Sequence, residues 1–97
     1  MSQGVTSSGL KVADAVISAR PAKIVGVQVI ADGTNAATLI LYDNASAASG
    51  TAANKIVVDA GATYENFYID GGVVCNNGIY ADVSGTGAEY IVFYAPL

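Results

Sequence analysis

The side chains that could do chemistry are few and far apart. Eight carboxylates (Asp14, Asp32, Asp43, Asp59, Glu65, Asp70, Asp82 and Glu89) and one thiol, Cys75, are spread along 97 residues that contain no histidine. Without an imidazole there is no Ser-His-Asp or Cys-His arrangement and no His-based zinc site. A pair of acids cleaves a glycosidic bond only when both are held at a fixed separation across a cleft. Here most of them sit at expected strand ends and turns. Asp43-Asn44 and Asp70-Gly71 are ordinary turn formers, because an Asx side chain bonds to its own backbone. Asp32, Asn35 and Asp43 offer loop oxygens of the kind a calcium ion takes, but their spacing is not that of an EF-hand. Ser84-Gly85-Thr86-Gly87 lacks the lysine and the helix of a phosphate loop and reads as a turn. Cys75, in Val73-Val74-Cys75, reads as a small apolar strand residue; being alone, it can form neither an intrachain disulfide nor a thiolate cluster. The expectation is a protein that is not an enzyme, with no cofactor, no metal and no small-molecule substrate.

The segments around these residues read as short strands separated by turns. A polar lead, expected to be a flexible arm over residues 1–9, precedes a first strand from Leu10 to Ser18 that stops at Arg20-Pro21. Lys23 to Ala31 is β-branched, with Val25, Val27 and Val29 expected on one face. Asp32-Gly33-Thr34-Asn35 is a turn, because these residues tolerate positive φ. Ala37 to Tyr42 follows, then a loop of small residues from Asp43 to Ala53, then Asn54 to Asp59. Thr63 to Ile69 and Gly72 to Cys75 flank a turn at Asp70-Gly71. Asn76-Asn77-Gly78 leads into Ile79 to Val83, and Ser84 to Gly87 turns the chain into Glu89 to Tyr94. About seven or eight short strands with turns every 8–12 residues or so predict one all-β domain over residues 10–97, an antiparallel sandwich or barrel.

Composition narrows the partners. Hydrophobic residues make up 53% of the chain, enough to fill a core, while charged residues are only 12%, about half the usual share of roughly 25%. Lys11, Arg20, Lys23 and Lys55 are too few and too scattered to neutralise a run of phosphates, so neither nucleic acid nor an anionic membrane surface is an expected partner. No 18-residue apolar run is present, which argues against a transmembrane helix. Met1-Ser2-Gln3-Gly4 lacks the basic and apolar regions of a signal peptide, and the expectation is a protein made in a cytoplasm.

Several strands are apolar on both faces. In the last one Tyr90, Val92 and Tyr94 share a face opposite Ile91 and Phe93; earlier, Leu39 and Leu41 oppose Ile40 and Tyr42, and Tyr64 and Tyr68 oppose Phe67 and Ile69. A free antiparallel sheet alternates apolar inside with polar outside, so a neighbouring subunit is the expected cover. Tyrosine is enriched and charge depleted in the cores of such interfaces, which makes Tyr42, Tyr64, Tyr68, Tyr80, Tyr90 and Tyr94 the candidate interface residues.

Ala31-Asp32-Gly33-Thr34-Asn35-Ala36-Ala37-Thr38-Leu39-Ile40-Leu41-Tyr42-Asp43-Asn44-Ala45-Ser46, with Ser49-Gly50-Thr51 after it, resembles small virion proteins of tailed bacteriophages, in which a strand ends in Leu-Tyr-Asp before a small-residue loop. Residues 77–89, from Asn77-Gly78-Ile79 to Ala88-Glu89, resemble the penultimate hairpin of the same domains. The resemblance runs from about Lys23 to Tyr94, rests on strand-and-turn grammar, and carries over no active-site residue. It implies a jelly-roll or immunoglobulin-like β-sandwich of the head-decoration, head-fibre or tail type. It further implies a homo-oligomer that binds the major capsid protein or other virion subunits and is located in the virion after assembly in the bacterial cytoplasm. The other function it leaves open is a receptor- or carbohydrate-recognition module of a fibre.

Overall fold

A computed structural model describes residues 4–97 and forms eight strands without a helix: β1 (Thr6–Ser7), β2 (Ala15–Ser18), β3 (Ala22–Ile30), β4 (Ala37–Tyr42), β5 (Ala52–Val58), β6 (Tyr64–Cys75), β7 (Ile79–Ser84) and β8 (Glu89–Pro96). The first sheet has the order β1-β8-β3-β6 and the second β2-β7-β4-β5, with every pair antiparallel. Strands pair first with last, second with seventh, third with sixth and fourth with fifth. That is one long antiparallel ribbon rolled into two sheets, the jelly roll, and it decides against the immunoglobulin-like alternative. Every connection except β4–β5 changes sheet. The turn at residues 84–88 therefore joins strands of opposite sheets, and the likeness of residues 77–89 to a hairpin is not realised as one.

Period-2 alternation fills the space between the sheets. Ala37, Leu39 and Leu41 of β4 meet Ile56 and Val58 of β5, Ile79 and Ala81 of β7, Val27 and Val29 of β3, and Tyr90 and Val92 of β8; no polar or charged residue is buried among those described. Each buried Leu, Ile or Val stabilises the fold by about 1.5–3 kcal/mol.

Three features depart from the reading of the sequence. First, Val25 does not share a face with Val27 and Val29. Ile24 pairs with Tyr94 and Gly26 with Phe93, so Val25 is an extra residue that flips the parity of β3. Ala22 and Ile24 face the core before it, Val27 and Val29 after it. Second, Asp70-Gly71 is not a hairpin turn. Tyr64–Cys75 is one strand that runs beside β3 on both sides of an outward loop, Ile24 pairing with Val73 and Gly26 with Tyr68. Gly71 and Gly72, both at φ 80°, form that loop. Third, the expected lead contains a strand: Thr6 pairs with Tyr94 and Ser7 with Phe93. Val92 N–H donates to Ser8 Oγ at 2.9 Å and Ser8 N–H to the Val92 carbonyl at 2.8 Å, which extends that edge. Residues 1–3, where the expected arm begins, lie outside the described residues.

Close packing of the connections explains two glycines. A Cβ on Gly85, at φ 113°, would overlap the carbonyl oxygen of Ala36, where two crossings touch at one end of the sandwich. At the other end a Cβ on Gly78 would come within 2.5 Å of the Ser18 carbonyl oxygen.

Candidate interaction surfaces

The six candidate tyrosines do not form one surface. Tyr64 and Tyr68 stand on the outer face of the first sheet, 58% and 70% exposed. Tyr42 and Tyr80 are a cross-strand pair on the outer face of the second sheet, half-buried and flanked by the exposed Val16. Tyr94 pairs with Ile24 and packs against the core. Tyr90 is fully buried, and its hydroxyl donates to the Ala13 carbonyl at 2.7 Å. Burial, with a smaller contribution from the negative charge of Asp14, pushes its hydroxyl up to about 12. Tyr90 is thus a core residue that ties the β1–β2 connection to the sandwich, and it is withdrawn from the interface set.

Around Tyr68 the first sheet carries an aromatic platform. Gly26 lies between Tyr68 on β6 and Phe93 on β8. A side chain there would meet the Tyr68 ring at 2.6 Å, so the missing Cβ is what lets the ring lie down across β3. Tyr68 and Phe93 stack with centroids 6.4 Å apart and planes at 27°, an offset geometry favoured by the ring quadrupoles. Glycine within an otherwise β-branched strand is the signal by which this approach could have been anticipated.

A second feature lies along the side where β5 and β6 are both edge strands. Phe67 pairs with the core residue Val27, and Glu65 with Val29. Both therefore have the parity of the inner face, yet Phe67 is 44% exposed and Glu65 is exposed, because β5 does not close over them. A cleft of about 270 Å³ remains there, with Asn54, Lys55 and Ile56 on its other wall. Sequence reading missed it because it depends on which strands end up at the edges.

Among the described residues Asp32 is the acid that caps its own turn; Asp43 and Asp14 bond backbone far along the chain, and in Asp43-Asn44 it is Asn44 Oδ1 that accepts from the Ser46 and Ala47 N–H groups. Asp32 Oδ1 accepts from the Thr34 and Asn35 N–H groups at 2.9 and 2.7 Å, and Oδ2 accepts from the Asn35 side chain at 2.8 Å. Those bonds, the Asn35 backbone N–H first, lower its pKa. Asp43 accepts from the Asn77 N–H at 2.8 Å. The calcium trio is not assembled: Asp32 and Asp43 lie beyond opposite ends of the six-residue β4, about 20 Å at ~3.3 Å per residue. No cluster of three or more His, Cys, Asp or Glu residues able to hold a metal occurs among the described residues. Asp14 Oδ1 accepts from the Val83 N–H at 2.8 Å; partial burial and then the charge of Asp14 raise the pKa of Asp82. Cys75 is buried, and desolvation, followed by the charge of Asp43, pushes its thiol up to about 11. A thiol held protonated in this way is a poor nucleophile.

No family model, no curated protein and no solved structure matches this chain.

Proposed function

We propose that this protein is a non-enzymatic structural subunit of a bacteriophage virion, a capsid decoration subunit that binds the major capsid protein or other virion subunits, and copies of itself, through protein–protein contacts. The observation that carries the reading is the outer face of the first sheet. Tyr64 and Tyr68 are exposed there, and Ile91 and Phe93 are only half-covered, although a free sheet would place polar residues at these positions. Large exposed aromatics on a charge-poor surface are what a protein partner buries well. The choice of a bacteriophage virion as the particle rests on the resemblance of residues 31–51 to small virion proteins, and the jelly roll accords with it because viral coat domains use this fold. Fold-level analogy alone assigns no function, so the aromatic face is the part that experiment must address.

The test is co-sedimentation of the purified chain with virions of the phage that encodes it, with light scattering on the chain alone. Saturable occupancy is expected. Tyr68→Ser, a change at an exposed position, should reduce occupancy at least tenfold, about 1.4 kcal/mol of contact, while the melting temperature falls only by the few degrees that loss of the stacked pair with Phe93 implies. A wild-type chain that stays monomeric and ignores the particles refutes the proposal.

A further inference from the structure

Strand β6 forms one edge of the first sheet, with β3 as its strand partner. Its first five residues, Tyr64 to Tyr68, are all exposed, the longest fully exposed run in any strand described. The unpaired backbone groups of such an edge are a template for another strand. Elsewhere the edges are blunted. β1 has two residues, β2 has four with a register shift between Val16 and Ser18, and β5 carries the exposed Lys55. β6 has twelve residues and neither lysine nor proline.

The side chains of this run select its partner. Tyr64, Asn66 and Tyr68 pair with Ile30, Gln28 and Gly26 and share the outer face, while Glu65 and Phe67 have inner parity. Read in either direction, the outer row is tyrosine, asparagine, tyrosine. An antiparallel copy of the same run, related by a two-fold axis at Asn66, therefore sets Tyr64 opposite the second copy's Tyr68 on both sides of the axis and amide opposite amide upon it. Aromatic pairs in that position stabilise a sheet, and an asparagine both donates and accepts. Glu65, an inward charge of the kind that deters random pairing, falls opposite Phe67 and not opposite its own copy. It borders the open β5–β6 cleft, so its charge is not sealed from water. The two Phe67 rings, each 44% exposed in the single chain, come within diagonal reach across the axis. The outward loop that follows Tyr68 ends the regular run and so confines the register. A strand of unrelated sequence would gain the backbone bonds alone.

We propose that β6 pairs with β6 of a second copy, antiparallel about a two-fold axis at Asn66, which joins the two four-stranded first sheets into one continuous sheet. The inference rests on the self-association within the function proposed above and names its contact. It leaves the outer face open to a capsid, because edge pairing extends the sheet in its own plane. A run of five residues is a small contact, below the roughly 1,000 Å² of a self-standing interface, so the dimer is weak in dilute solution and a covalent trap is the suitable readout.

The test is oxidative cross-linking of the full chain without virions, so that its failure leaves particle occupancy standing as separate evidence. Opposed Cα atoms on antiparallel strands are about 4.5–5.5 Å apart, within the roughly 4.4–6.8 Å that a disulfide spans. Asn66→Cys should therefore form a covalent dimer about tenfold faster, or more, than Asp59→Cys, an exposed control after β5. Tyr64→Cys and Tyr68→Cys should each stay monomeric, since each residue lies about 13 Å along the strand from its own copy, while an equimolar mixture of the two gives the mixed dimer. Cys75 is buried and takes no part. Asn66→Lys, added to both members of that mixture, sets two ammonium groups at the axis and should cut the yield about tenfold. The position is exposed, so the melting temperature should change little. Cross-linking of Asn66→Cys no faster than that of Asp59→Cys overturns the proposal. So does dimer from Tyr64→Cys or Tyr68→Cys alone in the yield of the mixture, or a mixture indifferent to Asn66→Lys.

Discussion

Replacing Tyr90 by phenylalanine tests the assignment of this residue to the core. The ring is fully buried and its hydroxyl makes a 2.7 Å bond to the Ala13 carbonyl. Phenylalanine keeps the ring and its packing and removes only that bond. Ala13 is exposed, so its carbonyl can be rehydrated, and the loss is that of one ordinary hydrogen bond, about 1 kcal/mol. With an unfolding entropy of about 2.1 cal/mol/K per residue over 97 residues, 1 kcal/mol corresponds to a melting temperature lowered by about 5 °C. Tyr90→Ala would in addition leave a cavity and cost about 3–5 kcal/mol, a large part of the ~5–15 kcal/mol that holds a domain together. A second readout comes from alkaline pH. The folded hydroxyl is raised to about 12 from its ordinary value of 10.0. The unfolded chain therefore releases this proton first, and the stabilisation present below pH 10 is lost as pH rises toward 12. The loss amounts to about 2 kcal/mol. Thermal unfolding followed by circular dichroism from pH 7 to pH 11 should show the wild type falling more steeply than Tyr90→Phe above pH 10. Equal melting temperatures at pH 7, or parallel slopes above pH 10, would refute the placement of this hydroxyl.

Two further expectations concern the fold. Gly85→Ala forces a side chain onto a φ of 113° and into the Ala36 carbonyl, at a cost of about 3 kcal/mol, which should appear as a melting temperature roughly 15 °C lower. A Gly85→Ala chain as stable as the wild type would mean that the two crossings do not touch. At pH 8 a thiol raised to about 11 is only about one part in a thousand thiolate, so iodoacetamide should label Cys75 in denaturant and leave it unmodified in the folded protein. Rapid labelling under native conditions would contradict its burial.

How far the sequence could be read depended on whether the deciding physics was local. Ala37 to Tyr42 was legible to the residue, because strict alternation between two turn signals leaves a strand one choice of faces. The turn at Asp32-Gly33-Thr34-Asn35 was equally legible, since the bonds that hold it run to residues two and three positions ahead, although only Gly33 takes the positive φ expected there. Asp70-Gly71-Gly72 was not. The same residues form a hairpin or a bulge, and what decides is whether β3 runs beside both flanking segments, a long-range pairing. The extra residue at Val25 escaped for the same reason, and with it the parity of the strongest strand. Thr6–Ser7 has no apolar period at all and is a strand only because β8 offers it an edge. Of the tyrosines, the shared face of Tyr90, Val92 and Tyr94 was read correctly, but alternation alone did not say that this face was the inner one. The cleft at Asn54 had no sequence signal, because it exists only where two edges fail to close.

The nested pairing of the strands constrains how the molecule is made. The partners of β3 are β6 and β8, and the partner of β1 is the last strand of all. During synthesis only the β4–β5 hairpin can form as soon as its own residues emerge, and each successive pair must wait for a more distant segment. A ribosome that stalls before residue 89 releases a chain in which β1 has no partner and β3 has lost one of its two neighbours. Such a truncated product exposes unpaired strand edges, the kind of surface that seeds aggregation. Completion of the first sheet therefore waits for β8, which supplies the partner of β1 and the second neighbour of β3.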